Sequence, residues 1–186
     1  MTTSATPKAP RSIGRYEFRS VTGEHIPVPD PSALVHLQFR RFAGCPICNL
    51  HLQSFVARHA EINAAGIREV AFFHSPAAEL AEHTADLPFA TVADPDKDIY
   101  RQFGVESSPR ALLDPRSWPA IIRGSALTLR GRFRAPAGRQ AGGRLGLPAD
   151  FLIAPDGVVL AAKYGTHADD QWSVDELLTR AATGHR

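Results

Sequence analysis

Cys45 and Cys48 are the only cysteines among 186 residues, and they lie three positions apart in the segment RRFAGCPIC. Three uses of such a pair are chemically reasonable: a reversible disulfide, half of a metal site, or two small apolar core residues. In a reducing compartment, a disulfide that closes so short a loop contributes little as a structural crosslink. We therefore expect redox chemistry or metal binding.

The elements predicted around this pair place Cys45 where a strand turns into a helix. The alternating segment 33–42 predicts a buried strand, and Pro46 suits the first position of a helix. Unpaired N–H groups of the first helical turn then favour a thiolate on Cys45 and lower its pKa. Cys48 lies one turn further on the same helical face, within reach for a disulfide. The spacing predicts that Cys45 is the attacking and more accessible sulfur, and that Cys48 is the more buried resolving thiol.

The rest of the chain predicts an α/β fold with a mixed sheet. Parallel β-α-β units come first, and an antiparallel hairpin and a last helix follow, so helices are expected on both faces of the sheet. The predicted strands are 33–42, 67–74, 89–94 and the two of a hairpin within 151–165. The predicted helices run from Pro46 to Gly66, from the cap Ser75 to about His83, from the cap Asp94 to Gly104, and onward from a capping box of Ser173 and Glu176.

Length and composition predict one domain with a short extension. The chain has the usual size of a compact domain, and 44% of its residues are hydrophobic. We expect an N-terminal arm over 1–32 and a redox domain over 33–186. No apolar run reaches about 18 residues, and the first residues lack the apolar stretch of a secretory signal. The expected location is therefore cytoplasmic.

An arginine-rich insert is predicted at about 107–147, which contains eight arginines and a single acidic residue, Asp114. Few aromatic residues are interleaved and no nucleic-acid motif is present, so we expect a solvated loop and neither nucleic acid nor membrane as a partner. Alternatively, Arg110, Arg116 or Arg123 attracts an anionic substrate. The insert's apolar residues are then expected to cover the site or to form a homodimer contact. These residues are Leu112, Leu113, Trp118, Ile121, Ile122 and Leu127.

Two histidines are candidates for a role near the cysteines. His51 completes a C-x-x-C-x-x-H pattern, but no second ligand pair with its own spacing follows, so we predict a polar helix residue and no metal site. His74 ends the second predicted strand. It either approaches the cysteines or forms an ordinary hydrogen bond at the strand end, and the second role is favoured.

Carboxylates after the insert are further candidates. Asp150 follows Pro148 closely, and it acts either as a proton acceptor with a raised pKa or, by the favoured interpretation, as a hydrogen-bonding residue at a strand start. His167 with Asp169 and Asp170 forms either a proton-transfer cluster or a polar loop.

Four segments of the sequence carry a family resemblance: FRRFAGCPIC, LPFATVADPD, LPADFLIAPDG and YGTHADDQWSVDELL. Together they resemble the bacterial peroxiredoxin-like proteins of the AhpC/TSA (redoxin) group, in the thioredoxin-like superfamily, over about 33–182. The resemblance implies a thioredoxin-like fold and a thiol-disulfide oxidoreductase or peroxiredoxin-like antioxidant enzyme without a bound cofactor. It also implies electrons from an external thiol, such as a thioredoxin or a low-molecular-weight thiol, and a disulfide or, weakly, a peroxide as substrate.

The same resemblance assigns residues to the site. These are Cys45 and Cys48, with Gly44, Pro46, Pro148 and Asp150 in support. Pro148 matches the proline that precedes the hairpin in thioredoxin-like folds. A cis Leu147–Pro148 bond beside the cysteine pair is therefore expected.

The chain departs from true peroxiredoxins at two places. Their P-x-x-x-T-x-x-C signature requires Pro at 38 and Thr at 42, where this chain has Gln38 and Phe42. Pro148 stands where peroxiredoxins commonly carry an arginine before the hairpin strand. We therefore expect slow peroxide reduction. The alternative function is a redox sensor or binding protein whose disulfide state controls a partner interaction.

Overall fold

A computed structural model describes residues 9–140 and 142–184, which form a five-stranded mixed sheet between two layers. The sheet order is β5-β4-β3-β6-β7. The strands are β3 Leu34–Phe39, β4 Ile67–Phe73, β5 Ala90–Ala93, β6 Ala149–Ile153 and β7 Val159–Tyr164. β3, β4 and β5 are parallel, whereas β6 and β7 are antiparallel to their neighbours. This confirms the predicted α/β class with parallel units followed by an antiparallel hairpin.

Helices cover one face of the sheet, through a core that includes Phe55, Leu80, Trp172 and Leu177. These helices are α1 Pro46–Ala57, α2 His59–Ala64, α3 Ala77–Thr84 and α7 Val174–Gly184. The opposite face is covered by the hairpin of β1 Tyr16–Arg19 and β2 His25–Val28 and by the helix α4 Asp98–Gln102. The sheet therefore has a hydrophobic core on each side.

The predicted N-terminal arm supplies the β1–β2 hairpin, whose residues Phe18, Ile26 and Val28 are buried against the sheet. The first eight residues of the arm, and residue 141 of the predicted insert, lie outside the described residues.

Two predicted helix features differ in the structure. The helix expected from Pro46 to Gly66 is interrupted at Arg58, whose φ of −115° is not helical and whose guanidinium pairs with Glu61 and with Asp175 of α7. Ser75 does not cap α3. Its hydroxyl accepts the N–H of Ala43 at 3.0 Å instead and so connects the end of β4 to the segment before Cys45.

One predicted helix start is confirmed, at α7, whereas α4 begins at Asp98, later than the predicted cap at Asp94 implies, although Asp94 still binds its first turn. The carboxylate of Asp94 accepts the N–H groups of Asp98 and Ile99 at the start of α4. Ser173 and Glu176 form the reciprocal hydrogen bonds of a capping box at α7.

The arginine-rich insert is not a solvated loop throughout, although in its second half Arg130, Arg132, Arg134 and Arg139 are exposed and lie outside helices and strands. It forms α5 Arg110–Leu113, a 3₁₀ turn Pro115–Ser117 and α6 Trp118–Leu129. Helix α6 packs on the start of α1 so closely that a Cβ on Gly124 would lie 2.5 Å from the carbonyl oxygen of Pro46. Apolar residues of the insert explain this packing, because Ala111 and Ala120 join the hydrophobic cluster around Cys45 and Cys48. The insert therefore covers the cysteine turn.

Candidate active site

The turn between β3 and α1 holds Cys45 in one conformation. Gly44 has a φ of +72°, and a Cβ there would lie 2.6 Å from the ring of His83, so only glycine fits. The N–H of Cys45 donates to the carbonyl of Phe42 at 3.1 Å. Cys45 is thus the N-cap residue of α1, and Pro46 is the first helical residue, as predicted.

Both sulfurs are free thiols in the interior of the protein. Cys45 is 0% exposed and Cys48 is 1% exposed. The expectation that Cys45 is the more accessible sulfur is therefore wrong. The physical reason is the insert, whose residues Ala111 and Ala120 lie in the same apolar cluster as both cysteines.

The two thiols have pKa values shifted in opposite directions. Burial raises the pKa of Cys45, but the hydrogen bond from Cys48, the charge of Arg41 and the N–H groups of the first turn outweigh it and lower the pKa to about 6. Burial and the neighbouring Cys45 raise the pKa of Cys48 well above its ordinary value. Near pH 7 the pair therefore consists of a thiolate on Cys45 and a thiol on Cys48.

Arg41 is a site residue that the sequence reasoning missed. Its Nη1 donates to Cys45 Sγ at 3.6 Å, and the residue is 2% exposed. In the part of the chain that the structure describes, Arg41 forms no ion pair with a carboxylate. The available signal was the pair Arg40-Arg41 directly before the cysteine turn, where the predicted strand ends.

A cavity of about 160 Å³ opens beside the cysteine turn. Phe42 and Ile47 line it from the turn, and Leu112 and Ile121 line it from the insert. Arg41 and Arg144 line it as well, and their guanidinium carbons lie 5.1 Å and 5.6 Å from the centre of the Phe42 ring. The cavity is therefore apolar in its walls and positively charged.

The sequence profile of the AhpC/TSA antioxidant enzymes matches residues 54–167, which is more than half of the chain. The chain belongs to the AhpC/TSA antioxidant enzyme family. This confirms the family resemblance and supports a thiol-dependent redox function. The matched region begins after Cys45 and Cys48. A sequence search of curated proteins finds no significant match.

Solved structures share the fold of this AhpC/TSA family member at low sequence identity. Peroxidoxin BcpB from Mycobacterium tuberculosis is 16% identical with a TM-score of 0.63, and the match covers 96% of each chain. A mutant of peroxiredoxin 6 of Arenicola marina is 14% identical with a TM-score of 0.68, covering 95% of this chain and 73% of that one. A protein assigned as thiol:disulfide interchange protein DsbE from Chlorobium tepidum is 17% identical with a TM-score of 0.60, covering 96% and 99%. These similarities confirm the thioredoxin-like fold.

The Leu147–Pro148 bond of this AhpC/TSA protein is trans, so the predicted cis bond is wrong. Gly146 pairs with Ser107, and the N–H of Leu147 donates to the carbonyl of Glu106 at 3.1 Å. The chain is therefore already extended before the proline, and a trans bond, which X–Pro favours by about 0.5–1 kcal/mol, continues this path into β6. Leu147 packs against the cluster that contains both cysteines.

Asp150 is fully buried on β6 and binds three groups. Its carboxylate accepts from Arg40 Nη2 at 3.0 Å and from the N–H of Trp172 at 3.1 Å, and it pairs with His36 Nε2 at 3.2 Å. Burial raises the pKa of Asp150, but Arg40 and His36 outweigh burial and hold the pKa well below its usual range. The interpretation of Asp150 as a proton acceptor with a raised pKa is therefore wrong, and the favoured hydrogen-bonding role agrees with the structure.

The two histidines near the turn, His51 and His74, are neutral, and neither forms a hydrogen bond with Cys45 or Cys48. His51 Nε2 donates to the carbonyl of Trp172 at 2.8 Å, and burial lowers its pKa to about 3. Burial, with the charges of Lys97 and Arg41, also lowers the pKa of His74 to about 3. Within residues 9–140 and 142–184, neither ring nitrogen of His74 has a hydrogen-bond partner, so the favoured strand-end hydrogen bond is wrong.

The cluster after the last strand is a set of loop contacts. His167 Nδ1 lies 3.2 Å from the hydroxyl of Ser117 in the insert. Asp170 accepts the N–H of Thr166 at 2.8 Å and pairs with Lys163 at 2.9 Å. These contacts hold the loop before α7 in place, and none of them involves Cys45 or Cys48.

The three insert arginines proposed from sequence do not line the cavity. Arg110, Arg116 and Arg123 are exposed, and Arg116 pairs with Asp114 at 2.7 Å. The structure brings Arg144 to the site instead. Among the residues described, no group of three or more His, Cys, Asp and Glu side chains is arranged to hold a metal ion, and no helix is long and apolar enough to cross a membrane.

Proposed function

We propose that this AhpC/TSA protein is a dithiol oxidoreductase that reduces small oxidants through Cys45 and Cys48. The observation that carries the proposal is the asymmetry of the pair, in which Arg41 and Cys48 stabilise a thiolate on Cys45 while Cys48 keeps its proton. A thiolate attacks, and a neighbouring protonated thiol is poised to resolve the product.

The same two sulfurs can reduce either a disulfide or a hydroperoxide. With a disulfide, the Cys45 thiolate forms an S–S bond and expels one thiolate, and Cys48, losing its proton to solvent, displaces the second and leaves a Cys45–Cys48 disulfide. With a hydroperoxide, Cys45 takes the terminal oxygen as a sulfenic acid while the alcohol leaves with a proton from solvent. Cys48 then closes the disulfide and releases water. An external dithiol returns two electrons.

Burial of the sulfurs favours small substrates. Both thiols lie beneath the insert, and the adjoining cavity of about 160 Å³ is close in size to cavities that hold one benzene-sized molecule. A strand of a folded protein does not fit in this volume.

Peroxide turnover is expected to be slow. Phe42 is buried in the position where the peroxiredoxin signature has threonine, and the guanidinium groups of Arg41 and Arg144 both lie close to its ring. A phenyl ring has no hydroxyl to polarise a peroxide oxygen, and preorganised polar groups of this kind supply a large part of catalysis.

The test compares two oxidants on one pure sample. A small disulfide and hydrogen peroxide are supplied with a dithiol donor such as thioredoxin or dithiothreitol, and steady turnover is measured beside the Cys45→Ser variant. We expect continuous turnover of the disulfide, slower turnover of hydrogen peroxide, and none by the variant. Equal turnover by Cys45→Ser contradicts the proposal.

A redox sensor is the second candidate, and one observation favours it. Both cysteines share one apolar cluster with Ala111 and Ala120 of the insert, so a disulfide that draws the sulfurs together is expected to alter the packing of α5 and α6. A sensor is oxidised once, in stoichiometric amount, and the exposure of the insert then changes. Limited proteolysis within 130–140 of the oxidised and reduced protein detects this change, whereas steady turnover supports the enzyme.

A further inference from the structure

The cavity next to the cysteine turn is lined by Phe42 and Pro46, close to Cys45 on either side in the chain, and not by Cys45 itself, and it contains two positively charged groups. Arg41 and Arg144 both line it, and no aspartate or glutamate does so in the described part of the chain. The charge of Arg41 is balanced by the thiolate of Cys45. Arg144 is an exposed residue that forms no ion pair with any described carboxylate, so one cation in the cavity wall has no counter-ion from the protein.

Arg144 is held in place by contacts that leave part of its guanidinium available. Its Nη2 donates to the carbonyls of Ala137 at 3.2 Å and Gly138 at 3.0 Å, and the group stacks over Phe42. A guanidinium has five N–H donors, and the two bonds of Arg144 to these carbonyls both use Nη2, not Nε or Nη1. A carboxylate matches such paired donors in geometry and charge.

Arg41 supplies an independent sign of a missing partner. Its Nε is buried and has no hydrogen-bond partner within residues 9–140 and 142–184. A buried donor without a partner is costly, so groups of this kind are normally satisfied by protein, solvent or ligand. An anion bound in the cavity that Arg41 lines is one group able to accept from it.

The remaining residues that line the cavity favour a ligand with an apolar part. Phe42, Ile47, Leu112 and Ile121 line the cavity, and its volume of about 160 Å³ accepts a group of roughly six to eight non-hydrogen atoms. A short hydrocarbon part therefore fits between the cysteine turn and the insert, with an anionic group toward Arg144.

We propose that this cavity selects small organic carboxylates as the oxidants of the site, with Arg144 binding the carboxylate and the reactive group lying at Cys45. The inference rests on the proposed function only in taking Cys45 as the nucleophile. A carboxylate-bearing hydroperoxide and a carboxylate-bearing disulfide share this chemistry, and comparing the turnover of each acid with that of its ester distinguishes them.

The direct test uses two alkylating reagents of nearly equal size. Iodoacetate and iodoacetamide both form an S–C bond with the Cys45 thiolate and release iodide, but only iodoacetate is anionic. The ratio of their rates is measured by mass spectrometry in the Cys48→Ser background and compared with the same ratio for N-acetylcysteine. We expect Cys45 to favour iodoacetate about fivefold more than the free thiol does, because an exposed ion pair contributes up to about this factor.

Substitutions of single arginines show which of them causes the preference for iodoacetate. Arg144→Gln is expected to remove the fivefold preference, and Arg144→Lys to retain most of it because the charge remains. Arg123→Gln is the matched control, since Arg123 is an exposed insert arginine outside the cavity lining. The ratio cancels any change in the pKa of Cys45. A preference that persists in Arg144→Gln, or that Arg123→Gln removes equally, contradicts the proposal.

A comparison of oxidants tests the cavity assignment separately from the proposed function. A short-chain hydroperoxy acid is compared with its methyl ester, and a dicarboxylate disulfide with its dimethyl ester. Preference for either acid over its ester, lost in Arg144→Gln, identifies the oxidant class. Turnover without such a preference overturns the cavity assignment and leaves the proposed function intact. An iodoacetate preference without any turnover overturns the proposed function and leaves carboxylate binding by Arg144 intact.

Discussion

The guanidinium of Arg41 lies 3.6 Å from the sulfur of Cys45, across the turn that joins β3 to α1. Peroxiredoxins commonly carry an arginine just before the hairpin strand, where this chain has Pro148. β3 and β6 are antiparallel neighbours with Phe39 opposite Ala149, so positions 41 and 148 lie at adjacent strand ends. Arg41 therefore brings a positive charge to the cysteine from the neighbouring strand.

Replacing Arg41 by Gln is expected to raise the pKa of Cys45, because an opposite charge close to a thiolate favours the ionised form. At pH 6 the rate of alkylation by iodoacetamide should fall about tenfold. Arg41→Lys keeps the charge and should lose much less. The exposed Arg123→Gln variant controls for net charge, and circular dichroism checks that each variant is folded. An unchanged rate in Arg41→Gln would show that the first helical turn alone stabilises the thiolate.

The pH dependence of Cys45 alkylation should show one rise near pH 6 and a plateau above it. Below this pH the sulfur is protonated and unreactive, and above it the sulfur is a thiolate. Cys48 contributes little across the plateau because its pKa is raised well above the ordinary value. Peptide mapping by mass spectrometry assigns the modified sulfur at each pH.

Cys48 itself contributes to the lowered pKa through its hydrogen bond to Cys45. Cys48→Ala removes this donor and should move the rise to higher pH, whereas Cys48→Ser retains a donor and should move it less. A single rise near the ordinary cysteine pKa of about 8.5 in the unmodified protein would contradict this account of the site.

The strands of the sheet and the position of Cys45 at the start of α1 could be predicted from the sequence, because both follow from local signals. Alternating apolar residues predicted β3, Pro46 marked the start of α1, and the spacing of Ser173 and Glu176 predicted a capping box that the structure contains. Such signals depend on neighbours in the chain, so they are readable without tertiary contacts.

The burial of the cysteines under the insert and the position of the two arginines beside them could not be predicted from local signals. Burial of Cys45 depends on α6, which lies more than 70 residues further along the chain, and on the absence of a side chain at Gly124. Arg41 and Arg144 meet at Phe42 from segments about 100 residues apart. The trans bond at Pro148 likewise depends on the pairing of the insert with the chain before β6. Nothing in the local sequence specifies these contacts.

The roles of the two sulfurs can be separated by mass spectrometry after treatment with a limiting oxidant. Cys48→Ser should accumulate a sulfenic acid or a mixed disulfide on Cys45, because attack occurs but resolution does not. Cys45→Ser should give no adduct at neutral pH, because burial, which raises the pKa of Cys48, remains in this variant. Adducts on Cys48 in Cys45→Ser, together with none on Cys45 in Cys48→Ser, would reverse the assignment.

Access to the sulfurs should depend on the contact between α6 and α1. Gly124→Ala places a Cβ 2.5 Å from the carbonyl oxygen of Pro46, so α6 must shift away from the cysteine turn. We expect faster alkylation of Cys45 by a bulky maleimide and lower stability by about 1–3 kcal/mol. Gly138→Ala is the matched control, because a Cβ there meets no atom within 4 Å. Equal maleimide rates in the two variants would show that α6 does not limit access.

The buried group around Asp150 should make stability depend on pH in a defined direction. Asp150 pairs with His36 at 3.2 Å and with Arg40 at 3.0 Å, and all three side chains are buried. Burial lowers the pKa of His36, but Asp150 and Glu69 outweigh burial and raise it. A raised pKa contributes stability that is fully present below the unfolded value of about 6.5 and is lost as the pH rises through the folded value. The lowered pKa of Asp150 contributes stability that is lost only in acid, as the pH falls from the unfolded value through the folded one.

Asp150→Asn removes the partner of both cations and should reduce the free energy of unfolding by about 3–5 kcal/mol, the usual cost of leaving a buried charge without its partner. The loss should be larger at pH 5.5 than at pH 8, because His36 is protonated and most dependent on Asp150 at the lower pH. Urea unfolding at both pH values measures the difference. Asp96→Asn, an exposed change of the same net charge, should have little effect at either pH. An Asp150→Asn variant that loses more stability at pH 8 than at pH 5.5 would show that the raised pKa of His36 does not come from Asp150.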